Sequence, residues 1–257
     1  MSKIDKIGKY SFNSDTPMKQ YSLYFCARNK NEGNMKRPYV ICHMMASIDG
    51  RIDCAMTEQI GGNEYYEALE MLCIDTTIEG KTTAINHYAE KELFVPQDAT
   101  PIGREEFYKS HDSKSWEAVT DTRGTLRWPE DDTPDRIAIV SQRASREYLD
   151  YLRERGISYI ATGETGIDLS RALSILQYEF GSERVGVVGG GHINGSFLRE
   201  GLLDEVSMLY GAAIDGREGF CAAFDGIEAS HTRPSMLHLK SVRQMGDDSV
   251  WIRYSIA

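Results

Sequence analysis

From Arg136 onward the chain alternates between two kinds of segment, and that alternation restricts the fold more than any other feature. "RIAIV" (136–140), "ISYIAT" (157–162), "RVGVV" (184–188) and "DEVSMLYGA" (204–212) are short apolar runs. Between them lie "REYLDYLRERG" (146–156), "IDLSRALSILQYEFG" (167–181) and "INGSFLREG" (193–201). In the second of these, Leu169, Ala172, Leu173, Leu176 and Phe180 fall on one helical face. Apolar runs without internal alternation suit strands buried on both sides. Strand–helix repetition therefore predicts an α/β protein whose central sheet is mainly parallel, with helices on both faces.

The earlier half fits the same scheme. "YVICHMMAS" (39–47) reads as a doubly buried strand, and Asp49-Gly50 as the turn after it. "NEYYEALEMLC" places Tyr65, Ala68, Leu69, Leu72 and Cys73 on one helical face behind an Asn63 N-cap. "TTIEGKTTAINHYA" reads as strand, Gly80-Lys81 turn and helix, and "WEAVTD" (116–121) as a strand. Residues 94–115 lack periodicity and read as a long inserted loop, the kind that often forms a lid or binding segment. At the end, "MLHLKSVRQM" and "SVWIRYSI" alternate around Gly246-Asp247-Asp248, which predicts an antiparallel hairpin. Residues 37–257 are expected to form a single domain. Residues 1–36, with the aromatic patch "YSLYFCAR", are expected to form an extension or arm.

Charge and cysteine usage narrow the partners. The net charge of −10 disfavours nucleic acid and anionic membranes, which need a basic face. Cys26, Cys42, Cys54, Cys73 and Cys221 are odd in number and form no C-x-x-C pair, so free thiols in a reducing, cytoplasmic setting are expected. There is no signal-peptide pattern and no apolar run of membrane-spanning length. No metal-ligand motif occurs: H-E-x-x-H and the zinc-deaminase signature are both missing, as is the G-x-S-x-G of α/β-hydrolases.

Four strand–turn–helix corners carry the candidate chemistry. In "VVGGGHINGSFLREG", Gly189, Gly191 and Gly195 give G-x-G-x-x-x-G, and Asn194 stands where a dinucleotide fingerprint needs its third glycine. Bare backbone at a strand end, followed by a helix N-terminus, still suits a phosphate, and His192 lies within the loop. A tight turn that binds nothing fits the motif equally well. "VSQRAS" (140–145) offers Ser141 and Ser145 as caps and Arg143 as an anion clamp, for instance for the 2′-phosphate that separates NADPH from NADH. "EGKTTA" (79–84) offers Gly80, Lys81, Thr82 and Thr83 at a helix start, without Walker A spacing. "MASIDGRID" (45–53) brings Asp49 into a polar turn, where it either orients a ligand or simply makes an Asp-Gly turn. His43, inside an apolar strand, is expected to be a hydrogen-bonded core residue.

Taken in order, "MASIDGRID", "GKTT", "SQRAS" and "GGGHINGSFLREGLLDEV" resemble the reductase domain of riboflavin-pathway deaminase–reductases over residues 38–256. The resemblance implies a dihydrofolate-reductase-like, three-layer α/β/α fold with a mixed sheet of eight or nine strands. It implies NADPH, with Gly189, Gly190, Gly191, His192, Asn194 and Gly195 around the pyrophosphate. Gly80, Lys81, Thr82, Thr83, Ser141 and Arg143 would follow the rest of the cofactor. It implies reduction of the ribose of 5-amino-6-(5-phosphoribosylamino)uracil to a ribityl chain, by hydride transfer to C1′ of the ring-opened imine. Ser47 and Asp49 would face the reaction, with Asp49 or water as proton donor, and Met45, Ala46, Arg104 and Tyr108 would border the substrate. A homodimer and a stand-alone reductase are expected. Three departures stand out: Val188 replaces a frequent Glu, an Asp-Asp-Pro substrate segment is missing, and the 94–115 excursion is long, offering Lys109 and His111 besides Arg104 and Tyr108. Two alternatives remain open: a different carbonyl, imine or conjugated substrate, or a nucleotide binder without turnover.

Overall fold

The computed structural model describes residues 37–52, 57–59, 63–130, 135–230 and 233–257. The expected N-terminal arm lies outside the described residues. Ten strands form one sheet: β1 (Tyr39–Ala46), β2 (Thr76–Gly80), β3 (Glu106–Tyr108), β4 (Trp116–Thr120), β5 (Arg136–Val140), β6 (Ser158–Ala161), β7 (Arg184–Val187), β8 (Glu205–Tyr210), β9 (Leu237–Met245) and β10 (Ser249–Ile256). Five complete helices lie within the described residues: α1 (Glu64–Met71), α2 (Lys81–His87), α3 (Arg146–Glu154), α4 (Leu169–Phe180) and α5 (Gly191–Arg199). The strand order is β3-β6-β5-β4-β2-β7-β1-β8-β10-β9. The seven strands from β6 to β8 are parallel, and antiparallel pairs close both edges.

The apolar runs behave as buried-on-both-faces strands should. In β5, Ile137 and Ile139 join the core beneath α4 and α5, while Ala138 and Val140 join the one beneath α2 and α3. In β1, Val40, Cys42, Met44 and Ala46 point to the first of these layers, and Ile41 to a third cluster under α1. The result is three layers, α/β/α. Asn63 precedes α1 as expected but makes no side-chain capping bond, whereas α3 and α4 are capped. Ser145 accepts from the Tyr148 N–H, Asp168 accepts from the Arg171 N–H, and Gly181 closes α4 in the left-handed conformation. Among the described residues no helix is long and apolar enough to cross a membrane.

Three expectations need correction. The 94–115 excursion contains a strand: β3 pairs with β6 and gives the sheet its tenth member. Its flanks bond to the 142–144 turn (Ile102 N–H to Ala144 O, 3.0 Å; Gly103 N–H to Gln142 O, 3.1 Å), so much of it covers an open edge and does not form a lid. Helix α5 begins at Gly191, so two of the glycines lie at its start and within its first turns. Finally, Cys73 is disulfide-bonded, whereas Cys42 and Cys221 are free thiols.

His43 is a core residue, as expected. It is fully buried, its Nδ1 lies 3.0 Å from Ser207 Oγ and its Nε2 3.1 Å from Tyr65 O, and its ring stacks on Tyr65. Burial holds its pKa down at about 4. An unfolded histidine titrates near ~6.5. Between those values the unfolded chain takes up a proton that the native chain refuses, so stability falls as pH drops through this window. The residue's share of that loss is about 3 kcal/mol. Urea midpoints at about pH 7 and about pH 4 should differ less in His43→Gln than in the unsubstituted chain. Equal differences would contradict a neutral, buried imidazole.

Candidate active site

All four corner motifs lie at the C-terminal ends of parallel strands. The chain steps outward from β2 through β4 and β5 to β6, then returns to place β7 between β2 and β1. A reversal of this kind opens a crevice at the strand ends, where open α/β sheets bind ligands.

The β2 and β7 ends are joined directly. Gly80 N–H donates to Gly189 O at 2.9 Å, and Val188 N–H to Ile78 O at 2.9 Å. Gly189 has φ +122°, a conformation suited to glycine. The helices that begin here, α2 and α5, have no capping side chain and no acidic residue in the first turn. By contrast, α3 and α4 carry Ser and Asp caps. At the start of α5, the N–H groups of Gly190, Gly191 and His192 have no acceptor among the described residues. Unsatisfied N–H groups at a helix N-terminus form an anion site. Space is open there: a Cβ on Gly190 would meet only Thr83 Oγ1, at 3.8 Å. The Thr83 hydroxyl thus borders the corner, while Thr82 is exposed.

Three spacings away, roughly 14 Å at the usual strand separation, lies the β5 corner. Ser141 is buried, and its hydroxyl donates to Thr122 O at 2.6 Å and accepts from Arg143 N–H at 3.2 Å. It therefore pins two turns together, and the expected cofactor contact by its hydroxyl gives way to a shaping role. Arg143 is exposed, and its guanidinium has no partner among the described residues. The turn that Ser141 holds carries Arg123, a second exposed arginine without a partner among them. Arg123 precedes a glycine in a stretch without strand or helix pattern, so no periodic signal marks it in the sequence. Between the two corners, a cavity of about 480 Å³ is lined by Lys81, Leu93, Thr120, Asp121, Arg123 and Thr125, among others. Lys81 pairs with Asp121 at 3.6 Å and with the Thr125 hydroxyl, so its charge is already partly engaged.

At the end of β1, Ser47 is buried and donates to Asp49 Oδ1 at 2.6 Å. The exposed Asp49 carboxylate also accepts from the N–H groups of Asp215 (3.0 Å) and Gly216 (2.9 Å). The Ser47 hydroxyl first, then these two amides, hold its carboxyl far below the usual carboxylate range. A group kept ionised in this way accepts hydrogen bonds and has no proton to give at neutral pH. In this arrangement Asp49 ties the 215–216 loop to the end of β1.

Several predicted residues are elsewhere or otherwise employed. The Ala46 side chain is fully buried in the core, and Met45 packs on the cluster under α1. Arg104 pairs with Glu106, and the Tyr108 ring packs on Tyr159 and beneath Arg153, all at the β3 edge. Six strand spacings separate β3 from β1, roughly 29 Å. Neither residue reaches a substrate beside Ser47. Lys109 pairs with Asp112 of the same excursion, and His111 with Asp135, just before β5. Gly191 and Gly195 make room for the chain itself: a Cβ on Gly191 would lie 2.3 Å from Ala222 O, and one on Gly195 1.9 Å from Asp225 O. Asn194 is fully buried and donates to Ala223 O at 2.7 Å. These three hold the 222–225 segment against α5. Of the predicted glycine cluster, the backbone of Gly190, Gly191 and His192 remains for an anion, together with the turn that Gly189 makes.

Residues 38–251 match the family model described as the RibD C-terminal domain. The chain is 29% identical over 226 residues to the 2,5-diamino-6-ribosylamino-4(3H)-pyrimidinone 5′-phosphate reductase of Methanothermobacter thermautotrophicus, covering 86% of this chain and 99% of that protein. It is 30% identical over 104 residues to the protein of the same name from Aquifex aeolicus, of which the match spans only 46%. Among solved structures, Acinetobacter baumannii RibD superposes with a TM-score of 0.64 at 19% identity, covering 87% of this chain and 59% of that one. The Saccharomyces cerevisiae riboflavin biosynthesis reductase superposes at 0.57 with 16% identity, covering 94% and 100%. These structures share the dihydrofolate-reductase-like fold. The chain belongs to the RibD C-terminal domain family.

Proposed function

We propose that this chain is an NADPH-dependent reductase of a phosphoribosylamino-pyrimidine, as in riboflavin biosynthesis. The supporting observation is the start of α5: three N–H groups without an acceptor among the described residues, no cap, no acid, and open space at Gly190, with Asp49 in the turn that follows the neighbouring strand β1. These amides and the helix dipole bind the pyrophosphate, with the Thr83 hydroxyl at its side. Arg143 and Arg123 read the 2′-phosphate. The bound cofactor supplies the hydride. Ionised Asp49 and Ser47 fix the loop that borders the reacting ribose, and the proton that completes the reduction comes from water. Positioning and charge are thus the protein's own contribution.

Two pyrimidines fit this reading. One is 5-amino-6-(5-phosphoribosylamino)uracil. The other is the 2,5-diamino pyrimidinone phosphate in the names of both curated relatives, and those names favour it. NADPH oxidation with each in turn decides between them. Oxidation with another imine or carbonyl alone would move the chain to a different substrate. Tight NADPH binding with no oxidation would make it a nucleotide binder. A homodimer belongs to the same proposal: the β9 edge leaves Leu239 60% and Val242 58% exposed, an apolar face for a second copy. Sedimentation should give twice the chain mass, and a monomer would refute the dimer.

Arg143→Ala should weaken NADPH by about 10–100-fold, the range expected for a lost charge-assisted hydrogen bond, and leave NADH affinity unchanged. Equal losses in fluorescence titrations would show that Arg143 does not face the 2′-phosphate.

A further inference from the structure

At the start of α5, three metal-ligating side chains converge. His192 lies in the first turn of α5, and Cys221 and Asp225 lie on the segment that crosses it. One ligand atom from each (an imidazole nitrogen, the thiol sulfur and a carboxylate oxygen) falls within 4.8 Å of the other two. We propose that they form a site for a borderline-soft divalent cation, zinc above all, with a fourth position open to water.

The donor set selects the metal. A thiolate and an imidazole disfavour magnesium and calcium, which prefer all-oxygen shells, and favour zinc or its neighbours. Zinc takes sulfur at ~2.3 Å, and nitrogen and oxygen at ~2.0–2.2 Å, so the three ligand atoms need only small rotations to close on one ion. His192 and Cys221 are exposed, which leaves them room to turn. Cys221 is a free thiol. One Asp225 oxygen accepts from Gly226 N–H at 2.8 Å, leaving the other for a metal.

The backbone beneath the ligands is fixed, which favours a built site over chance proximity. Ile52 N–H donates to Cys221 O (3.3 Å), Ala223 N–H to Gly50 O (3.1 Å) and Asp225 N–H to Gly191 O (3.0 Å). Asn194 holds Ala223 O from the other side. Segment 221–225 thus bridges the Asp49 turn and the start of α5. A cation would cross-link that segment to α5 through side chains, in addition to these bonds. The sequence gives no hint of it, because His192 and Cys221 are far apart and match no metal motif.

The test uses the full chain after treatment with a chelator. Cobalt(II), a spectroscopic substitute for zinc, should bind one ion per chain and give a sulfur-to-cobalt charge-transfer band. Zinc should displace it and raise the melting temperature, because it binds only the native chain. Cys221→Ser should lose the band while its metal-free melting curve matches that of the unsubstituted chain. His192→Ala and Asp225→Asn should each weaken cobalt by more than about 100-fold, since even loss of an outer partner to a ligand costs ~10–100-fold. No band at stoichiometric cobalt, or a band retained in Cys221→Ser, would overturn the proposal. Neither readout depends on reductase activity.

Discussion

Gly190→Asp is expected to leave the protein folded and to abolish NADPH binding. The first half follows from space and conformation. Gly190 has φ −78° and ψ −169°, values open to any residue, and a Cβ there would meet nothing nearer than Thr83 Oγ1 at 3.8 Å. The change in unfolding free energy should stay within about 0.5 kcal/mol, as for a substitution that disturbs no packing. The second half follows from charge. A carboxylate placed at the unpaired N–H groups of α5 would occupy them and repel the pyrophosphate. Like charges in contact cost several kcal/mol, so affinity should fall by more than about 100-fold. A fluorescence titration alongside a urea melt separates the two effects. A stable variant with unchanged NADPH affinity would remove the pyrophosphate from this corner.

Gly195→Ala, five residues on, should do the reverse. Helix propensity alone predicts a gain of roughly 1 kcal/mol, since alanine replaces glycine inside α5. The structure predicts a loss. The added methyl would sit 1.9 Å from the Asp225 carbonyl, a backbone atom that cannot swing away as a side chain would. The 222–225 segment must shift, breaking the Asn194 bond to Ala223. Overpacking costs typically 1–3 kcal/mol and more where backbone must move. A net loss near ~3 kcal/mol should lower the melting temperature by roughly 6–12 °C. A stabilised Gly195→Ala variant would show that the segment does not press on the helix.

These two glycines mark where the sequence was readable and where it was not. Elements set by local pattern could be read: the doubly buried β5 and β7, the face of α4, the hairpin after Met245. The four corners could also be placed at strand ends, because each motif directly follows an apolar run. What each glycine is for could not be read. Gly190 and Gly195 look alike in "GGGHING", yet one opens on space and the other on Asp225, a residue brought there by tertiary contact. The same limit explains Arg104 and Tyr108. Their chemistry suits a phosphate ligand, but the strand order, set by non-local pairing, puts them on the wrong edge. Asp49 stands out by its turn, while the bonds that hold its carboxyl low come from Ser47 and from two amides of the 215–216 loop. Ala46 and Met45 adjoin that turn in the sequence, but strand alternation sends them to the two apolar faces of the sheet.

The proposed reaction is tested most directly by one incubation of the full chain with NADPH carrying deuterium at the transferable position, together with each phosphoribosylamino-pyrimidine. Mass spectrometry of the product should show a ribityl chain with one deuterium at C1′, formed in step with NADPH oxidation. A product without deuterium, or no NADPH oxidation with either pyrimidine, would contradict the proposed reaction.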